Sequence, residues 1–113
     1  MPKVLLAEDD HTMVSLLKTL LKMEGFEVIA LDADADIPTA VIQEKPDSIL
    51  MDVNIGKQNG MDLVQLIRKD PANASVNIVM ASGYNLKAEC LQRGANHFLL
   101  KPFMPDDLIK VLK

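Results

Sequence analysis

Four places in this chain carry side chains that could do chemistry together: the acidic run Glu8-Asp9-Asp10, then Asp52, Ser82 and Lys101. Carboxylates from Glu8, Asp9 and Asp52, once gathered, would oppose one another's ionisation unless a cation intervened. A hard divalent ion answers that demand. Magnesium binds through one or two carboxylates, keeps several waters and accepts phosphate oxygens as further ligands. An ionised carboxylate such as Asp52 can itself attack phosphorus and become an aspartyl phosphate. Phosphoryl transfer then asks mainly for charge around the equatorial oxygens, which the ion and Lys101 supply, with the Ser82 hydroxyl as a hydrogen-bond donor.

Residues so far apart in sequence need a scaffold that returns each of them to one place. Short apolar runs alternate with segments of helical period along the chain, with no Ser/Gly-rich linker and no low-complexity tract. That rhythm predicts an α/β fold whose parallel sheet is covered on both faces. Val4 to Ala7 is apolar without alternation, as a strand buried on both sides must be. Met13, Leu16, Leu17, Leu20 and Leu21 follow at helical spacing, and Gly25 stops that helix.

The second strand is predicted over Glu27 to Leu31, and the second helix over Ile37 to Glu44 with Pro38 in its first turn. Ser48 to Met51 forms the third strand. Met61, Leu63, Val64, Leu66 and Ile67 give the third helix an apolar face before Asp70-Pro71 ends it. Asn77 to Ala81 is the fourth strand, Leu86 to Gln92 a short helix closed by Gly94, and Phe98 to Leu100 the fifth strand. Pro105-Asp106-Asp107 opens the last helix, with proline and acids where a first turn favours them.

In an open parallel sheet, ligands bind beyond the carboxyl ends of the strands, near the point where strand order reverses. The first strand ends in Glu8-Asp9-Asp10, the third in Asp52, the fourth in Ser82 and the fifth in Lys101. These groups share one site if the strands lie in the order 2-1-3-4-5, that of a flavodoxin-like (βα)5 three-layer sandwich. The second strand then lies at the margin and brings only Asp32, to which no role is assigned.

Bulk properties bound the function from outside. The 113 residues suit one domain, 1–113, and 49% apolar residues are ample for a core. A net charge of -4, with no cluster of Lys or Arg, disfavours direct nucleic-acid binding. The lone Cys90 cannot form an internal disulfide, and no apolar run reaches signal-peptide or membrane length, so a cytoplasmic setting without membrane association is expected.

At these residues the chain resembles a known family. Val4-Leu-Leu-Ala-Glu-Asp-Asp, Leu50-Met-Asp52 with Gly60 eight residues beyond the aspartate, Ala81-Ser82-Gly83 and Lys101-Pro102-Phe103 are similar to the receiver domains of two-component response regulators. Each motif is weak alone; together, in order and at the right strand ends, they are specific. The resemblance implies that Asp52 is the phosphoacceptor, with Glu8, Asp9, Asp52 and the Asn54 backbone carbonyl holding Mg2+, or Mn2+ in its place. It makes Lys101 and Ser82 the catalytic companions of Asp52, Ser82 and Phe98 the switch pair, and the Lys101-Pro102 peptide cis.

By the same resemblance, a sensor histidine kinase or a histidine phosphotransfer protein supplies the phosphoryl group. The surface of the fourth helix, fifth strand and fifth helix then changes for a downstream effector domain or protein, and a phosphorylation-dependent homodimer is allowed. The domain is then a phosphoacceptor rather than an enzyme, assisting its own phosphorylation and dephosphorylation.

Each residue also has a plainer reading. Asp9 or Asp10 could cap the first helix, Asp52 and Ser82 could be turn residues, and Lys101 a solvated charge. Their joint placement favours the site, with capping left to Asp10 or its neighbours. His11 and His97 lack a partner at metal-ligand spacing. Cys90 reads as a small buried residue, and Met13, Met51, Met61 and Met80 as packing.

Four features depart from the commonest family pattern. Gly56 stands where proline is frequent, which predicts a more mobile loop after Asp52. Ser82 replaces threonine and Phe98 replaces tyrosine. The segment from Ser82 to Lys101 is about one helical turn short, and Tyr84 is expected over the site entrance, slowing attack by water. Two rival functions remain: a magnesium-dependent aspartyl-phosphate phosphatase or phosphotransferase, and a receiver-like interaction module that is never phosphorylated. A flavin site is disfavoured because the acidic turn after the first strand would repel phosphate.

Overall fold

The computed structural model describes residues 1–113. In chain order the elements are β1 (Lys3–Ala7), α1 (His11–Met23), β2 (Glu27–Leu31), α2 (Ile37–Glu44), β3 (Ser48–Asp52), β4 (Asn54–Ile55), β5 (Gln58–Asn59) and α3 (Gly60–Lys69). A 3-10 turn at Pro71–Asn73 leads to β6 (Asn77–Ser82), α4 (Lys87–Arg93), β7 (His97–Leu100) and α5 (Pro105–Leu112). The five longer strands form one parallel sheet in the order β2-β1-β3-β6-β7. With the two-residue strands β4 and β5 set aside as a separate hairpin, this is the flavodoxin-like order 2-1-3-4-5 expected from the sequence.

Alternation along the strands splits the core in two. Leu5, Ala7, Ile49, Met51, Ile78 and Met80 face a cluster completed by Ile37 and Val41 of α2, Leu63, Val64 and Ile67 of α3, and Cys90 of α4. Val4, Leu6, Leu50, Val79 and Ala81 face the other way, against Leu17 and Leu21 of α1 and Leu108 and Leu112 of α5. The central strands are therefore apolar on both faces. Each fully buried Leu or Ile among them contributes about 1.5–3 kcal/mol.

Helix starts follow local chemistry. Asp10 caps α1, its side chain accepting the Met13 N–H at 3.1 Å. Asp36 does the same for α2, with Pro38 inside the first turn. Asn59 caps α3 by accepting from Met61 and Asp62. Helix α4 spans only seven residues and has no side-chain cap, in line with the shortened stretch before Lys101.

A polar tie at the opposite end of the sheet was not legible beforehand. Arg68 of α3 donates to the Gly94 carbonyl at 2.9 Å, the Asn73 carbonyl at 2.8 Å and Asn96 Oδ1 at 2.6 Å. Asn96 Oδ1 also accepts the Ile78 N–H at 2.8 Å. One guanidinium thus joins α3, the 3-10 turn and the loop between α4 and β7. Its fork of donors suits that task.

Candidate functional site

The strands deliver their C-terminal residues to one sheet edge. Residue pairs Ala7 with Met51 and Asp52 with Ala81 place Glu8 and Asp9 beside Asp52, and Asp52 beside the end of β6. The Val53 N–H donates to the Ala81 carbonyl at 2.9 Å, continuing the β3–β6 ladder past Asp52. Ser82 pairs with Leu100, and the Lys101 N–H donates to the Ser82 carbonyl at 2.8 Å, which brings the lysine to the same edge. The Lys101-Pro102 peptide is cis, as expected.

Glu8 is the most enclosed of the acids, at 4% exposure. Its Oε1 accepts the backbone N–H groups of Asp9 and Asp10 at 3.1 and 3.2 Å, and its Oε2 accepts from Lys101 Nζ at 2.7 Å. Lys101 Nζ also stands 3.2 Å from Asp52 Oδ2. Burial raises the Glu8 pKa, the Lys101 hydrogen bond opposes that, and the Asp52 charge adds to it; the net direction is upward. For Lys101, burial works against the charged form, but the hydrogen bond and charge of Glu8, with Asp52, outweigh it and lift the ammonium pKa.

Oxygens of Glu8, Asp9 and Asp52 lie within 4.8 Å of one another. Three carboxylates against one ammonium leave an excess of negative charge, and every donor is oxygen. That donor set fits a hard divalent cation such as Mg2+.

Two glycines make room for this arrangement. A Cβ at Gly60 would meet the Asp52 carbonyl oxygen and lie 3.1 Å from Val53 Cα, while the Gly60 N–H donates to the Val53 carbonyl at 2.6 Å. The family-like glycine eight residues after Asp52 is therefore a close backbone approach. Gly56 has φ +57°, and its N–H donates to Asp9 Oδ2 at 3.0 Å.

Residues 54–59 form the β4–β5 hairpin, fastened to its surroundings. Gln58 Nε2 donates to the carbonyls of Ala33 and Ala35 at 2.8 and 3.0 Å. Sequence reasoning missed both the hairpin and Gln58. The available signal was a two-residue turn with glycine first.

The remaining candidates fall as follows. Asn54 is exposed, in β4, and its N–H points to Asp52 Oδ1 at 3.4 Å. Ser82 is 3% exposed, and its Oγ accepts the Tyr84 N–H at 3.1 Å. Phe98 pairs with Met80 and packs half-buried on the same sheet face as Ser82, since residues 80 and 82 share a side of β6. Tyr84 is exposed, and Cys90 is fully buried. No helix is long and apolar enough to cross a membrane.

Comparison with known proteins agrees with this geometry. Residues 4–113 match the response regulator receiver domain family. The chain is 36% identical over 110 residues to the transcriptional regulatory protein CpxR of Escherichia coli, covering 96% of itself and 47% of that protein. It thus spans about half the length of the curated relatives it matches. Among solved structures, chemotaxis response regulator CheY4 of Vibrio cholerae aligns with a TM-score of 0.88 at 28% identity, over 99% of this chain and 96% of that one. The receiver domain of a Pseudomonas aeruginosa sensor histidine kinase, solved with magnesium ion coordinated in the active site cleft, aligns at 0.85 and 26% identity, over 98% and 93%.

A parallel sheet with its acids, hydroxyl and lysine at one carboxyl edge defines a signalling receiver rather than a nucleotide binder. The chain belongs to the response regulator receiver domain family of two-component signal transduction.

Proposed function

We propose that Asp52 is the phosphoacceptor of this receiver, and that Glu8, Asp9, Asp52 and the Asn54 carbonyl hold a magnesium ion, with Mn2+ able to replace it. The observation that carries the proposal is Lys101 Nζ set between Glu8 Oε2 at 2.7 Å and Asp52 Oδ2 at 3.2 Å, beside a three-acid cluster. When bound, the ion supplies positive charge to the phosphoryl oxygens.

The donor is a phosphohistidine on a sensor kinase or phosphotransfer protein. One Asp52 oxygen forms the new O–P bond as the P–N bond breaks, and the imidazole leaves with the bonding electrons and takes a proton from water. Lys101 neutralises the incoming oxygens, and Ser82 donates its hydroxyl to one of them. The phosphoryl group carries nearly two negative charges where the Asp52 carboxylate carried one, and brings strong acceptor oxygens to the sheet edge. Ser82 moves toward that group, and Phe98 turns into the space behind it. The face of α4, β7 and α5 thereby changes its population of packings.

The domain signals rather than turning over a substrate, although it assists its own phosphorylation and dephosphorylation. A cytoplasmic setting, an effector read through the α4–β7–α5 face, a phosphorylation-dependent homodimer and residues 1–113 acting as one receiver unit belong to the same proposal. Intact-mass measurement after incubation with acetyl phosphate tests it. A single phosphoryl adduct is expected in the wild type with Mg2+, and none in Asp52→Asn or without metal. An adduct of equal yield in Asp52→Asn overturns the assignment.

A further inference from the structure

The hairpin after Asp52 is tied at three places, one of which is Asp9. At its base, the Gly60 N–H meets the Val53 carbonyl at 2.6 Å. At its turn, the Gly56 N–H meets Asp9 Oδ2 at 3.0 Å, across 47 residues of sequence. On its second strand, the Gln58 carboxamide bridges the carbonyls of Ala33 and Ala35 in the loop between β2 and α2.

The turn has little freedom to settle elsewhere. Ile55, paired with Gln58, is fully buried, and the Gly56 Cα lies so near the second loop that an added Cβ would stand 3.0 Å from Ala33 Cβ and 3.1 Å from its carbonyl oxygen. Gln58 is the one hairpin side chain that donates to that loop, and it donates twice. A proline at position 56 would have no N–H for Asp9.

We infer that Gln58 is a positioning residue for the metal site. By holding the hairpin against residues 33–35 it keeps the Gly56 N–H on Asp9 Oδ2, so that Asp9 presents its other oxygen in a fixed orientation. This rests on the reading that Asp9 is a metal ligand. Groups that orient ligands in this way typically change metal affinity by 10- to 100-fold when removed. Gln58 acts at one remove, so a loss of about tenfold is expected.

Isothermal titration of the metal-free protein with Mg2+ tests this on wild type, Gln58→Leu, Gln58→Lys and Asp9→Asn. Gln58→Leu removes both donors and is expected to weaken Mg2+ about tenfold. Gln58→Lys keeps a donor of sufficient reach and restores most of the affinity. In acetyl phosphate reactions, Gln58→Leu raises the Mg2+ concentration for half-maximal rate while the rate at saturating Mg2+ stays near wild type.

A Gln58→Leu protein with lowered melting temperature but unchanged Mg2+ affinity overturns the inference, because the tie is then structural only. Unchanged affinity in Asp9→Asn, or no Mg2+ binding by the wild type, overturns the metal-site reading and this inference with it.

Discussion

Lys101 Nζ lies 2.7 Å from Glu8 Oε2, a contact across 93 residues that joins the end of the last sheet strand to the end of the first. Glu8 is nearly sealed from solvent, its side chain 2% exposed, whereas that of Lys101 is 24% exposed. Asp52 lies beside the pair, its side chain 13% exposed and its Oδ2 3.2 Å from Lys101 Nζ.

Lys101→Met should therefore do two separable things. Phosphorylation of Asp52 is expected to slow by about 10²–10³, the usual loss when one fixed charge donor is removed. Stability of the metal-free protein should fall by about 1–3 kcal/mol, because Glu8 loses its partner while buried. Mass-detected phosphorylation rates and urea melts check the two effects independently.

The pH dependence of the metal-free protein follows from Glu8, whose folded pKa lies above the ordinary 4.5 because of burial first, with the Lys101 hydrogen bond opposing and the Asp52 charge reinforcing. Below pH 4.5 both folded and unfolded chains hold that proton, and the contribution of Glu8 to stability is complete. As pH rises from there through the folded value, the unfolded chain ionises first and the contribution is lost. Glu8→Gln should flatten this decline in EDTA. With wild type at pH 7, Mg2+ at 100 times its Kd should add about 2.7 kcal/mol. Melts across pH with EDTA or Mg2+ read both.

Gly60→Ala should fail for reasons of space. The new Cβ meets the carbonyl of Asp52, a backbone atom that cannot swing aside. A loss of about 3 kcal/mol is expected, at the upper end for overpacking, together with slowed phosphorylation because Asp52 itself is displaced. Gly83→Ala, where an added Cβ meets nothing within 4 Å, is the control.

Arg68→Ala should destabilise without touching the chemistry. It strips donors from the Gly94 and Asn73 carbonyls and from Asn96, for a loss of about 2 kcal/mol. Phosphorylation rate measured well below the melting temperature is expected to match the wild type.

Tyr84 is 76% exposed while its N–H is held by Ser82 Oγ. If its ring screens the aspartyl phosphate from water, Tyr84→Ala shortens the lifetime of phosphorylated protein after the phosphodonor is removed. A lifetime equal to or longer than wild type would sink this role.

Much of the architecture was legible because its causes are local or periodic. A strand buried on both faces must be apolar throughout, as Val4–Ala7 and Ile49–Met51 are, and helices must repeat their apolar residues every three or four positions. The helix over Ile37–Glu44 and the cap at Asp10 came from such rules. Strand order then brought Glu8, Asp9, Asp52, Ser82 and Lys101 to one edge, because polar residues directly after buried strands have nowhere else to emerge.

The reach of Gln58 to residues 33–35 and the contact of Gly56 with Asp9 were decided only in three dimensions. The Gln58 contacts span 25 and 23 residues and the Gly56 contact 47, all onto or from backbone atoms, and a backbone N–H or carbonyl carries no signature of its partner in the residue types. The same holds for Arg68, whose sequence position reads as a surface charge near a helix end. Sequence alone therefore determined which residues could do phosphoryl chemistry and at which sheet edge. The tertiary structure decided how they are held: Lys101 on Glu8 as well as Asp52, and Asp9 on a glycine whose missing side chain lets the backbone reach it.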